Sequence, residues 1–196
     1  MPRKYELKKR AENVEETQRR IIEAAVSLHT TVGPAQTTVS AIAERAGVQR
    51  QTYYRHFPDE RGLFEACSAL WAEHHPLPDP SGWAEIADPV ERLRVGLGEL
   101  YRWYDESEGG FGRFLRDSSV HELTRERFAE TLAAIAALRP TLANGVVPKG
   151  KTGARAGAAL DLALDFATWR TLVRGSRLDA AAAAGLMADT VLCAAT

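Results

Sequence analysis

The chain has 196 residues, 45% of them apolar, enough for one sizeable core or for a small domain beside a larger one. Its formal net charge of −1 does not itself point to nucleic acid, but the charge is polarised: residues 1–57 hold ten Lys/Arg against six Asp/Glu, and the rest hold fifteen against twenty. The charged N-terminus has no apolar run behind it and no segment reaches membrane-spanning length, so no signal peptide, no membrane partner and a cytoplasmic location are expected.

Residues 1–12 (MPRKYELKKRAE) are basic and read as an arm ahead of the first helix. Asn13 and Glu16 have the spacing of a capping box, so that helix is expected to begin there and run to about Val32. Ile21, Ala25 and Leu28 form its buried face, with Ile22 and Val26 beside them.

The stretch 37–57 (TTVSAIAERAGVQRQTYYRHF) reads as two short helices joined by a tight turn. Val39, Ile42, Ala43 and Ala46 recur at helical spacing, Thr37 or Thr38 caps that helix, and Gly47 ends it in a left-handed conformation. Val48 turns into the core, and the next helix starts at Gln49 or Arg50 with Tyr53 and Phe57 on its inner side. Its other side chains (Gln49, Arg50, Gln51, Thr52, Tyr54, Arg55 and His56) carry donors of several lengths. A helix fits the major groove, where Arg can bond guanine bidentately and Gln adenine, while Thr, Tyr and His suit phosphate oxygens. A helix, a short Gly-bearing turn and a polar second helix make a helix-turn-helix.

With Ile21, Ile22, Ala24, Ala25 and Leu28 of the preceding helix, with Gly33, and with Pro58 opening the next helix, the segments TTVSAIAERAGV and TYYRHF resemble the tetracycline-repressor (TetR) family of bacterial regulators over roughly the first third of the chain. The resemblance implies that the basic arm reaches along the DNA backbone or into the minor groove; a solvated tail is the other reading. It also places a phosphate-gripping Lys where this chain has Glu60, followed by Arg61, so either Arg61 takes that role or the contact is absent. The candidate DNA-contacting residues are Thr38, Ser40, Gln49, Arg50, Gln51, Thr52, Tyr54, Arg55, His56 and Arg61.

Beyond this point a helix is expected from about Asp59 to His75, linking head and body and burying Cys67 with Leu63, Phe64, Leu70 and Trp71. Neither Cys67 nor the distant Cys193 has metal-ligand spacing, and both are expected reduced. His74 and His75 read as a solvent-facing helix end, and LPDPSGW as a Pro-rich loop. From Asp88, with Pro89 at its first position, a helix buries Val90, Leu93, Leu97, Leu100 and Tyr104, with Trp103 alongside. GGFGRFLRDSS is expected to form a separate short element with Phe111, Phe114 and Leu115. Residues 121–138 form a longer helix with Phe128, Leu132, Ile135 and Leu138, which Pro140 closes or extends by a turn.

Residues 145–152 (GVVPKGKT) match the G-x-x-x-x-G-K-[ST] phosphate loop letter for letter. That loop works only after a buried strand, and an Ala/Leu helical pattern precedes it here, so an interhelical loop is expected. Residues 154–173 are expected to form one helix, with Leu162, Phe166, Trp169 and Val173 on one face and Leu160, Leu164, Ala167 and Thr171 on the next. Asp179 caps a final Ala-rich helix.

The sequence therefore predicts an all-α protein: an N-terminal arm and three-helix helix-turn-helix DNA-binding head over 1–57, and a helical effector-binding and dimerisation domain over 58–196. One recognition helix reads few base pairs, so a symmetric homodimer on a pseudo-palindromic double-stranded DNA operator is expected. By resemblance, its two C-terminal helices form a four-helix bundle with the partner, and a small-molecule effector in the body releases a repressor from DNA. Leu100, Trp103, Tyr104, Phe111, Phe114, Phe128, Phe166 and Trp169 are the candidate effector wall; such aromatic stripes also serve as plain core. Asp161 and Asp165, one turn apart, would select a cationic effector if they faced inward, or else lie on a solvent face or in a dimer ion pair. No catalytic constellation, metal motif or cofactor site is recognised, so no enzyme is expected. A nucleotide-binding protein using 145–152, or a helical adaptor that does not touch DNA, is the alternative.

Overall fold

The computed structural model describes residues 2–196, with side chains from Lys8 onward. Among the described residues there is no strand. The chain packs as two compact units, Met1–His74 with Gly109–Phe128, and His75–Glu108 with Ala129–Thr196. This packing boundary differs from the division at 57/58, which concerns tasks.

In the first unit, α1 spans Pro2–Thr31. It does not start at Asn13. Glu16, expected to complete a capping box, instead bonds Arg19 one turn on (2.7 Å), while the Asn13 carbonyl accepts from the Thr17 hydroxyl (2.8 Å). The side chains of residues 1–7, part of the expected arm, lie outside the described residues. A single 3-10 turn, Pro34–Gln36, leads to α2 (Val39–Ala46), α3 (Arg50–His56) and α4 (Glu60–His74).

Local chemistry sets these boundaries. The Thr38 hydroxyl accepts from the Ala41 N–H (3.2 Å), supplying a partner for one orphan first-turn donor of α2. Gly47 closes α2 at φ 64°, a left-handed conformation that costs a side-chain-bearing residue. Arg20, from α1, adds a second clamp by donating to the Ala46 and Gly47 carbonyls. Thr38→Ala is expected to cost about 1 kcal/mol of unfolding free energy in urea, and an unchanged midpoint would show that the cap contributes nothing.

Ile21, Ala25, Leu28, Ile42, Ala46, Tyr53, Phe57, Leu63 and Cys67 form one core, with Val39 and Val48 packed at its margin. The buried Cys67 thiol is pushed up to about 12 by burial, so it stays protonated. Residues 109–128 complete the unit. The Phe114 ring meets Phe64 (6.4 Å between centroids) and Trp71 (6.2 Å), and Phe111 meets Phe128 (5.1 Å). Arg113 Nε and Arg116 Nη2 donate to the Thr31 and Val32 carbonyls (2.7 Å each), satisfying the C-terminal end of α1.

The second unit opens with a short helix where the sequence predicts a loop, α5 (Pro80–Ala84), capped by Asp79. It buries Trp83, whose indole donates to Glu99 (2.7 Å). α6 runs unbroken through Pro89–Asp117, so GGFGRFLRDSS is not a separate element. Gly110 serves close packing: a Cβ there would lie 3.0 Å from Trp71 Nε1 and 3.3 Å from Thr30 Cγ2. α7 follows at Glu122–Ala136.

α8 (Arg139–Ala143) begins with Pro140 in its first turn. α9 (Lys151–Leu164) and α11 (Ala180–Ala194) pack on each other through the buried Ala156, Ala159, Ala163, Ala183, Ala184 and Ala188. The expected single helix over 154–173 breaks at Asp165, whose backbone is extended (φ −82°, ψ 130°) because its carboxylate caps α10 (Phe166–Arg170) by accepting from the Ala167 N–H (3.1 Å). One wide π-type turn, Thr171–Gly175, follows. The break changes the expected faces: Phe166, Trp169, Val173, Leu160 and Leu164 are buried, but Leu162, Ala167 and Thr171 are exposed. Asp179 caps α11 as expected, accepting from the Ala182 N–H (2.7 Å).

Candidate functional site

The inner side of α3 is fixed by Tyr53 and Phe57, whose rings stand 6.3 Å apart. Burial lifts the Tyr53 phenol to about 12, so it remains neutral. Seating these two rings forces the opposite face outward. Gln49, Arg50, Gln51, Tyr54 and Arg55 are exposed and Thr52 half-buried, on a helix about 10 Å long. Tyr54 is 47% exposed and stands edge-on to Tyr53 (5.2 Å), a contact that steadies its ring. Thr38 and Ser40, at the start of α2, are exposed too. Thr38 accepts with its oxygen, and its own hydroxyl proton stays available to donate.

Two candidates fit less well. His56 is half-buried, with Nε2 buried and unpartnered. Burial, then Arg55, lowers its pKa below the usual range, so at neutral pH it brings no charge to a phosphate. Arg61 is held by Glu126 (2.9 Å), and Glu60 accepts from His121 Nε2 (3.0 Å). The tautomer follows from the Thr124 N–H, which donates to His121 Nδ1 (3.2 Å). A phosphate would have to break the exposed Arg61 pair to use that guanidinium.

The eight candidate effector residues are divided between the two units. Phe111, Phe114 and Phe128 belong to the first unit, where they pack as described above. Leu100, Trp103, Tyr104, Phe166 and Trp169 are buried together in the second. There Tyr104 stacks among Trp103 (5.4 Å), Phe166 (5.3 Å) and Trp169 (5.8 Å). Tyr101, absent from the sequence-based set, joins them with its ring 6.3 Å from Tyr104. Its position, four after Leu97 and three before Tyr104, was the signal available.

Neither aspartate supports a cationic effector. Asp161 pairs with Arg139, and Asp165 caps α10. The segment 145–152 follows helix α8 and no strand, with Gly145 and Gly150 at positive φ and Lys151 opening α9. At Gly153 a Cβ would lie 1.8 Å from the Pro148 carbonyl, so the segment folds back on itself instead of opening around a phosphate.

A core-seated second helix with its polar face outward, following a capped first helix and a left-handed glycine, defines a helix-turn-helix. Residues 21–67 match the family model of bacterial regulatory proteins, tetR family. The likeness to that family lies in this N-terminal segment. It is similar to the HTH-type transcriptional regulator TtgR of Pseudomonas putida, 35% identical over 91 residues that cover 46% of this chain and 43% of TtgR, so the match spans less than half of that relative. Among solved structures, the TetR family transcriptional regulator PfmR of Thermus thermophilus covers 89% of this chain and 97% of its own at 25% identity, TM-score 0.60. The transcriptional regulator FadR of Bacillus subtilis, in complex with stearoyl-CoA, shares the fold at 20% identity over 89% of this chain and 97% of its own, TM-score 0.56. No helix among the described residues is long and apolar enough to cross a membrane.

Proposed function

We propose that this protein is a ligand-responsive transcriptional repressor, acting in the cytoplasm as a homodimer on a pseudo-palindromic operator. Residues 1–57 read DNA and residues 58–196 bind the effector and the second subunit. The observation that carries the reading is the outward set Gln49, Arg50, Gln51, Tyr54 and Arg55, held by Tyr53 and Phe57 on the core side. Arg50 and the two glutamines, at the start of the recognition helix, are assigned to base edges; Thr38, Ser40, Thr52, Tyr54 and Arg55 are assigned to phosphates. His56 and Arg61 are left as minor contacts.

Two recognition helices one DNA turn apart, about 34–36 Å, would read both half-sites. The exposed apolar positions of α9 and α11 support those helices as the subunit interface. FadR supports the effector reading in kind: this architecture can take a small-molecule ligand, whatever its identity here. Such a ligand must bind the DNA-incompetent form better, and DNA must weaken the ligand by the same factor.

The test begins with selection of bound sequences from a random DNA pool. Arg50→Ala is then expected to weaken binding by roughly 1–3 kcal/mol and to relax preference at one position in each half-site. Tyr54→Phe is expected to weaken all sequences alike. Absence of salt-dependent binding to any DNA would refute the proposal.

A further inference from the structure

The effector-binding unit treats its buried aromatic donors unequally. Trp83 Nε1 donates to Glu99 (2.7 Å), Trp103 Nε1 to the His75 carbonyl (3.0 Å) and Tyr104 Oη to the Leu164 carbonyl (2.6 Å). Tyr101 and Trp169 are both 0% exposed, yet Tyr101 Oη and Trp169 Nε1 have no hydrogen-bond partner. An unmet buried donor is costly, and a folded chain usually avoids it unless something else supplies the acceptor. Here two such groups flank a single ring, that of Tyr104, at 6.3 and 5.8 Å between centroids.

The backbone beside them is interrupted. α9 stops at Leu164, Asp165 is extended, and Trp169 lies on the five-residue α10 ahead of the Thr171–Gly175 turn. A short helix between two breaks can shift without disrupting one continuous hydrogen-bond ladder, and π-type turns recur at functional sites.

We infer that Tyr101 and Trp169 form the polar end of the effector site, and that the effector is a neutral, mainly apolar molecule carrying a hydrogen-bond acceptor such as a carbonyl. This rests on the effector reading proposed above and adds the ligand class. An indole N–H only donates and a phenol donates readily, so the missing partner is an acceptor. The aromatic walls supply the apolar contact. Charge on the ligand is disfavoured. Asp165 places a negative charge close enough to Tyr101 to help burial keep its phenol un-ionised. Arg174, stacked over Trp169 at 5.1 Å, is already paired with Asp105 and Glu108 (2.7 Å each).

Benzophenone, two rings about one carbonyl, and diphenylmethane, the same rings without the acceptor, provide the test. Wild type is expected to bind benzophenone at least roughly tenfold more tightly than diphenylmethane. Tyr101→Phe and Trp169→Phe should each erase most of that difference by weakening benzophenone more than diphenylmethane. Tyr101→Phe without ligand should melt at the same temperature as wild type or higher, because it deletes an unmet buried hydroxyl. Illumination should attach benzophenone to the peptides carrying residue 101 or residues 166–169.

Equal affinity for the two probes, no benzophenone binding, attachment elsewhere only, or a Tyr101→Phe protein melting several degrees lower would overturn the inference. Operator binding by the same preparations separates it from the larger reading: a protein that holds operator DNA but does not discriminate the probes sinks only the ligand class, whereas one that ignores DNA sinks the regulator itself.

Discussion

Leu162→Arg/Leu186→Arg is expected to give a folded monomer whose preference for its operator falls by roughly 10³-fold or more, to the level of non-specific DNA. Leu162 and Leu186 are 57% and 47% exposed, on the two helices that pack against each other through alanines. A single exposed leucine is unremarkable, but these stand with the exposed Ala154, Ala158 and Ala182 on the same helix pair, an apolar surface suited to a second copy. In a two-fold interface each substitution occurs twice, so the double variant would bring four guanidiniums into one contact. Changes at exposed positions should move the subunit's own stability by no more than about 0.5 kcal/mol. Sedimentation equilibrium and operator titration together decide the outcome. A variant that stays dimeric places the interface elsewhere, and a monomer with full operator affinity removes the two-fold reading.

The head was legible because its signals are local. Thr38, Gly47 and the Val39/Ile42/Ala43/Ala46 spacing each act within a few residues, and together they fix two helices and the turn between them. Tyr53 and Phe57 then dictate which side of α3 faces out. The family resemblance gave that outward face its meaning.

The rest of the chain was less legible because its determinants are distant in sequence. The glycines at 109, 110 and 112 suggested a stop, yet the helix continues where Trp71 packs over Gly110, a contact between residues 39 positions apart. Trp83 was hidden in a Pro-rich stretch whose cap, Asp79, precedes only five helical residues. Periodicity gives each aromatic residue a face but no partner; of the candidate rings, Phe111, Phe114 and Phe128 fall in the first unit and Trp103, Tyr104, Phe166 and Trp169 in the second. Arg61 shows the same limit, since its carboxylate partner lies 65 residues away. Asp165 was misjudged differently: within an apolar helical pattern it looked like a face residue, whereas its short carboxylate competes with the helix by capping the next one.

The head's stability is expected to fall by roughly 2–3 kcal/mol between pH 7.5 and 4.5 through His29 alone. His29 is 7% exposed and tilts against Phe64 at 5.8 Å. Burial, reinforced by His121 and opposed by Glu60 and Asp117, lowers its pKa from 6.5 to about 4. Above pH 6.5 the side chain is neutral in both folded and unfolded chains, and it contributes no pH dependence. Between pH 6.5 and about 4 the unfolded chain takes up a proton that the native head refuses, so acid favours unfolding across that window. Below about pH 4 both forms are protonated and the slope from this group ends. His29→Leu removes the group with little change in volume, so the wild-type minus variant difference in unfolding free energy should shift against wild type by that amount as pH falls. Urea titrations at half-unit steps measure it. Parallel profiles for the two proteins would mean that His29 is hydrated in the native head, and that the core between α1 and α4 is wetter than its packing indicates.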